Sequence, residues 1–117
     1  MRENELHASV VEFLRFALPE GALFNHAPGE GKRSPRAQAE LKASGYWAGW
    51  PDLEILVAGA AYFIELKTAR GHLSAQQVGT HAALRRCGFP VATCRSLAEV
   101  ETALQSWRIP LRARVAA

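Results

Sequence analysis

The sequence predicts an α/β fold, a mixed β-sheet flanked by helices in the order α-α-β-β-α-β-α. Three observations carry that reading. Two short strand-like runs, Asp52–Val57 and Tyr62–Lys67, flank a turn containing Gly59, the pattern of a β-hairpin. A capped helical stretch separates this hairpin from a third apolar run, Phe89–Cys94, and a strand, crossover helix and further strand argue for a mixed sheet. Apolar stripes at both ends of the chain supply helices to cover it.

Each element has its own local cause. Leu6, Val10, Phe13, Leu14 and Ala17 recur at helical spacing between about Glu5 and Leu18, with Asn4 as N-cap, and Pro19-Glu20-Gly21 ends that helix. The Gly- and Pro-rich stretch from His26 to Arg33 reads as an ordered loop. Ser34 can cap a helix that opens on Pro35, where the missing N–H costs nothing, runs through Ala43 and stops at Gly45. A second loop, Tyr46–Pro51, holds Trp47, Gly49 and Trp50. In the first strand Leu53, Ile55 and Val57 share a face by the period-two rule. Ser74-Ala75-Gln76-Gln77 has the form of a capping box and opens a helix ending near Cys87, with Gly88 at C′. Ser96-Leu97-Ala98-Glu99 is a second such box, for a helix whose stripe is Leu97, Val100, Leu104 and Trp107.

At 117 residues the chain is the size of a single domain, residues 1–117, that buries roughly 65–70% of its unfolded surface. Apolar residues at 49% and charged residues at 21% exclude a disordered or collagen-like chain. No uncharged apolar run approaches the ~20 residues of a membrane span. Acids in the N-terminal stretch argue against a secretion signal, and only two cysteines, Cys87 and Cys94, against a disulfide scaffold, so a cytoplasmic protein is expected. The net charge of +3 is segregated: residues 1–31 hold two arginines against five glutamates. Lys32, Arg33, Arg36 and Lys42 then face only Glu40, and the tail carries Arg108, Arg112 and Arg114 without an acid. Such segregation suggests a polyanionic partner, with a solvated basic face as the plain alternative.

The chemistry concentrates at one end of the hairpin. Glu65 and Lys67 are two apart on a strand, so their side chains leave the same face. Direct pairing of the two strands puts Asp52 opposite that end, and two carboxylates and an ammonium converge. Asp52 and Glu65 offer hard oxygen ligands for Mg²⁺ or Mn²⁺, with the Leu66 carbonyl as a third. A cation there activates water and neutralises charge on a phosphate, while Lys67 orients that water or stabilises developing negative charge. This set fits phosphodiester hydrolysis. A surface salt bridge from Lys67 to Glu65 or Asp52 is the plain alternative, although a charged pair closing an otherwise core-like strand does not need that placement.

Gly49-Trp50-Pro51-Asp52, followed by Ile64-Glu65-Leu66-Lys67 and Leu73-Ser74-Ala75-Gln76-Gln77, resembles the VRR-NUC branch of the PD-(D/E)xK nucleases. The likeness extends over nearly the whole chain, from Glu5-Leu6-His7 through Gly31-Lys32-Arg33-Ser34 to Val91–Ser96, and is greatest to small stand-alone bacterial and phage members. It implies a restriction-endonuclease-like core. Asp52 and Glu65 match the family's metal-binding acids, Lys67 its catalytic lysine, Glu5 a helix glutamate lining the metal site, and Gln77 the glutamine after the core motif. It further implies a Mg²⁺- or Mn²⁺-dependent endonuclease, structure-specific on branched DNA such as four-way (Holliday) junctions, acting as a homodimer. The alternatives are a non-catalytic nucleic-acid-binding module and a nuclease subunit of a larger repair or restriction assembly. Trp50 stands where the family has a smaller residue, and His7 where Gln is common.

Other residues are read from their settings. Lys32, Arg33, Ser34 and Arg36 lie at or before a helix start, where free N–H groups favour phosphate, and Gly29 and Gly31 permit close backbone approach. They are the expected DNA-backbone contacts, with a flexible solvated loop as the plain alternative. Trp50, with Trp47, is expected to stack on or wedge between unpaired bases, with a packing lid or a dimer contact as the plain alternative. Glu5 also suits the first helical turn, and Gln77 also suits the N3 position of its cap. Glu54 reads as a surface charge, and Gln76 stands in for Gln77 if the register shifts by one. His7, His26, His72 and His81 show no zinc spacing. Both cysteines are expected to be buried thiols.

Overall fold

The computed structural model describes residues 2–27 and 33–116. Its elements are α1 (Glu3–Ala17), β1 (Leu23–His26), α2 (Pro35–Ala43), β2 (Leu53–Val57), β3 (Ala60–Leu66), α3 (Ala75–Arg86), β4 (Val91–Cys94) and α4 (Leu97–Ser106). They form a mixed four-stranded sheet in the order β1-β2-β3-β4 with helices on both faces. β1, β2 and β3 pair antiparallel, and β3 pairs parallel with β4 through the α3 crossover.

β1 is the element that sequence patterning does not reveal. It is an edge strand of four residues, mostly exposed, so it shows no alternation, and Leu23 stays 66% accessible. Pairing to β2 alone makes it a strand. The element order is therefore α-β-α-β-β-α-β-α rather than the seven-element order expected. The first helix also starts earlier: Arg2, not Asn4, occupies the N-cap, and Glu5 accepts from the Arg2 backbone N–H.

The period-two pattern divides the sheet between two apolar clusters. Leu53, Ile55, Ile64 and Leu66 face α1 and α4, whose Leu6, Val10, Phe13, Leu14, Val100 and Leu104 complete the main core. Phe63 and Val91 face the other way, towards Leu84 of α3 and the half-buried Trp50. Glu65, between Ile64 and Leu66, shares this second face, so the hairpin delivers its acid to the α3 side. The β2–β3 turn is Ala58-Gly59, with φ of 49° and 81°, the double left-handed pair of a two-residue hairpin.

The tail is more structural than its charge suggests. Arg112 donates its backbone N–H to Ala17 O and its Nε to Leu18 O, closing the C-terminal segment over the end of α1, while Arg114 pairs with Glu101 at 3.2 Å. No described helix is long and apolar enough to cross a membrane.

Candidate active site

The β2–β3 register runs Leu53↔Ile64 and, one step on, brings Asp52 opposite Glu65, on one face of the sheet. The Asp52 Oδ2 atom accepts the Leu66 backbone N–H at 2.7 Å, which pins the first carboxylate beside the Glu65–Leu66 peptide. The Leu66–Lys67 peptide is trans, and its N–H donates to Cys94 O on β4 at 3.0 Å. Its C=O therefore points the opposite way, towards Asp52. Two carboxylates and one peptide carbonyl gather at this end of the hairpin, with Lys67 next along the chain.

Glu65 is 2% exposed although it is a carboxylic acid, and burial of such a group demands partners. One is His81, 1% exposed, whose Nε2–H donates to Glu65 Oε1 at 3.1 Å. Burial lowers the His81 pKa below its ordinary value; Arg85 and Lys67 push the same way, and Asp52 opposes them. A neutral imidazole with its proton on Nε2 fits that hydrogen bond. Sequence reasoning missed His81. The available signal was its position four residues after Gln77, which puts both on the buried face of α3 with Thr80 and Leu84.

Further residues hold this end in place. His26 donates Nδ1–H to Asp52 O at 3.1 Å, and Ala27 donates its N–H to the same oxygen at 2.9 Å, so the unpredicted β1 anchors the Asp52 backbone. The His26 ring meets His7 of α1 edge-on at 4.4 Å. Burial and His26 lower the His7 pKa, against Asp52 and Glu3. Arg95, also missed, donates Nη1 to Thr68 O and Gly71 O, bracing the loop that follows Lys67.

Not every expected residue joins the group. Among the described residues no three His, Cys, Asp or Glu side chains form a metal-sized cluster, so Glu5 does not complete one with Asp52 and Glu65. Its carboxylate serves the start of its own helix. Gln77 is buried, and its Oε1 caps α3 by accepting Ser74 N–H at 2.9 Å. Trp50 turns inward and packs, half-buried, at right angles on Phe63 with centroids 5.5 Å apart, as the packing alternative has it. Trp47 is the exposed indole, at 65%. Ser34 accepts Ala37 N–H as the cap of α2, Arg36 pairs with Glu40 on the surface, and Lys32 lies outside the described residues. Cys87 is exposed, contrary to expectation, while Cys94 is buried and its thiol is pushed up to about 12 by burial, with Glu99 adding.

The donor set is made of oxygen. Mg²⁺ and Mn²⁺ suit one or two carboxylates and a carbonyl, with water and phosphate completing the shell. A closed zinc site needs four protein ligands, which the described residues do not gather.

No family model matches the sequence, and no curated protein matches it. Solved structures do. One described as a "VRR_NUC domain protein" superposes with a TM-score of 0.76 at 21% identity, covering 92% of this chain and 88% of its own. A second, "VRR_NUC domain", gives 0.60 at 21% identity over 90% of this chain and 96% of that one. The chain has the VRR-NUC fold, a restriction-endonuclease-like architecture.

Proposed function

We propose that the chain is a divalent-metal-dependent DNA endonuclease of the VRR-NUC family. The observation that carries this reading is the Asp52 carboxylate held at 2.7 Å on the Leu66 amide, opposite Glu65 at the end of the hairpin from which the chain continues into Lys67. Asp52, Glu65 and the Leu66 carbonyl would hold Mg²⁺ or Mn²⁺, which supplies Lewis acidity towards the scissile phosphate and a water of lowered pKa. The residues do the rest. His81 fixes the rotamer of Glu65. Lys67 holds a proton-rich ammonium where the attacking water or a phosphate oxygen approaches, and offsets the charge that grows there. Burial of Glu65 keeps bulk water from competing for its oxygens.

The substrate class follows from partner chemistry. Arg33 and the N-terminus of α2 suit a phosphate backbone, and an exposed Trp47 suits unpaired bases, which favours branched DNA such as a four-way junction over plain duplex. Cutting such a junction symmetrically takes two copies. The exposed apolar Leu23, Leu56 and Phe89, which line one shallow depression at the hairpin end, provide a surface for a homodimer. The test is nicking of a labelled four-way junction by the purified protein with Mn²⁺, compared with Asp52→Ala and Lys67→Ala. Cleavage by the wild type and loss in both variants supports the assignment. Equal cleavage by all three, or metal-independent binding with no cleavage under any divalent ion, refutes it.

A further inference from the structure

On the far side of α3 from Glu65 lies a groove of about 930 Å³, walled by α2 and the Tyr46–Ala48 segment. Among the described residues its cations are Arg33, Lys42 and Arg86, and no acidic residue lines it. Trp47 contributes an exposed indole to its wall. Gly79, in the middle of α3, forms part of the floor, with nothing within 4 Å of where a Cβ would sit. A mid-helix glycine costs about 1 kcal/mol relative to alanine, so it needs a reason, and here it leaves open floor. The α2 wall buries none of its own residues, so the fold does not use its inner face.

We propose that this groove seats unpaired nucleotides of a single DNA strand, stacked on Trp47, with Lys42 and Arg86 meeting the phosphates. Charge decides the class of occupant: a described lining of cations without acids selects a polyanion. The aromatic wall decides between its forms, because a base offers a π-face only when it is unstacked, and the groove reads no particular base edge. The inference rests on the nuclease reading for the identity of its ligand and adds a separate site. Trp47 precedes Asp52 by five residues, a span of at most about 18 Å, which matches about five stacked nucleotides. Cleavage is therefore expected within about five nucleotides of the point where duplex gives way to single strand.

The test is fluorescence anisotropy of a short fluorescein-labelled oligo(dT) in EDTA, where no cutting occurs, beside a duplex of equal length. The wild type should bind oligo(dT), with log K falling against log salt by about 1.4–2, the value for two or three phosphates on a single strand. Trp47→Ala should weaken binding by about 5- to 150-fold and Trp47→Phe by much less, since phenylalanine still stacks. Gly79→Leu fills the floor with a better helix former, so it should melt no lower than wild type yet bind oligo(dT) poorly. Wild-type affinity in Trp47→Ala or in Gly79→Leu overturns the proposal. So does an equal loss of duplex binding in Trp47→Ala, or a change in oligomeric mass by light scattering with oligo(dT) affinity intact, which would make the groove a contact between copies. A protein that binds oligo(dT) through Trp47 but never cleaves upholds the groove and removes only the nuclease reading.

Discussion

Gly49 is the residue on which the approach to Asp52 turns, and replacing it by alanine has a cost that can be worked out. Its φ is +80°, a region where an L side chain costs about 1–2 kcal/mol. An added Cβ would also lie 2.5 Å from Gln76 O, 2.7 Å from Gln76 C and 2.8 Å from Thr80 Oγ1. Those separations are roughly 1 Å short of van der Waals contact. Two of the three atoms belong to the α3 backbone and cannot rotate away, so the loop must lift. Lifting breaks the 2.6 Å hydrogen bond from Thr80 Oγ1 to Ala48 O, a further loss of about 0.5–1.5 kcal/mol. The total is about 1.5–3.5 kcal/mol, or about 6–14 °C in Tm at roughly 0.25 kcal/mol per degree for a chain of this size. Gly59→Ala is the matched control: its φ is +81° with nothing within 4 Å, so it carries only the backbone term, about 4–8 °C. Any gain from a stiffer unfolded chain is common to both and cancels in their difference. Urea and thermal unfolding of the two variants side by side measure it. A Gly49→Ala protein that melts no lower than Gly59→Ala would refute the reasoning, and so would one that loses stability yet cleaves normally, since the displaced loop carries Asp52.

Four further outcomes are expected. Ala58→Asn should raise the melting temperature by about 2–4 °C, because asparagine tolerates the left-handed position that Ala58 holds at φ 49° in the hairpin turn; no change in thermal unfolding would count against the turn assignment. A thiol reagent should modify Cys87 in the native chain and reach Cys94 only after unfolding, so titration gives one thiol folded and two in denaturant. Mn²⁺ should raise the melting temperature of the wild type, by about 2.7 kcal/mol of added stability at a hundred times Kd, whereas Glu65→Gln should lose that response while staying folded in EDTA. Stability should fall on acidification. The folded-state pKa of His81 is depressed, so the unfolded chain binds protons first as pH drops below about 6.5, at up to about 1.4 kcal/mol per pH unit, until the folded value is passed. Urea midpoints that rise between pH 7.5 and about pH 5.5 would contradict this sign.

What the sequence revealed and what it hid separate along one physical line. Elements that bury one face wrote their pattern into the chain: all five stripe residues of α1 are buried, and the hairpin and its α3 crossover pair as their runs predict. The same rule placed Asp52 opposite Glu65, because register needs only a period of two and a turn. β1 stayed hidden because an exposed edge strand has no burial to encode, and with it went the hydrogen bonds from His26 and Ala27 to Asp52. Trp50 stayed undecided between stacking and packing because a loop tryptophan looks alike in sequence whether its ring meets solvent or Phe63. His81 and Arg95 were illegible for a related reason. Their partners, Glu65 and the Thr68 and Gly71 carbonyls, lie 16 to 27 residues away, and only tertiary packing brings them together.

The geometry of α3 ties the two sites to one helix. Consecutive helical residues step about 100° around the axis, so Gly79, Thr80 and His81 must look in three directions. Gly79 opens onto the groove, Thr80 holds Ala48 at the base of the tryptophan loop, and His81 holds Glu65. A strand pressed against the Gly79 side therefore bears on the same helical turn that holds the buried Glu65 carboxylate. Gly49 packs on that turn against Gln76 and Thr80 and leads through Pro51 into Asp52. Both carboxylates are thus positioned from one turn of α3, one by a side chain on it and the other by a loop docked to it. A substitution on the groove side that leaves Thr80 and His81 in place should change where DNA is held and leave metal affinity alone, whereas one that moves the turn should change both together.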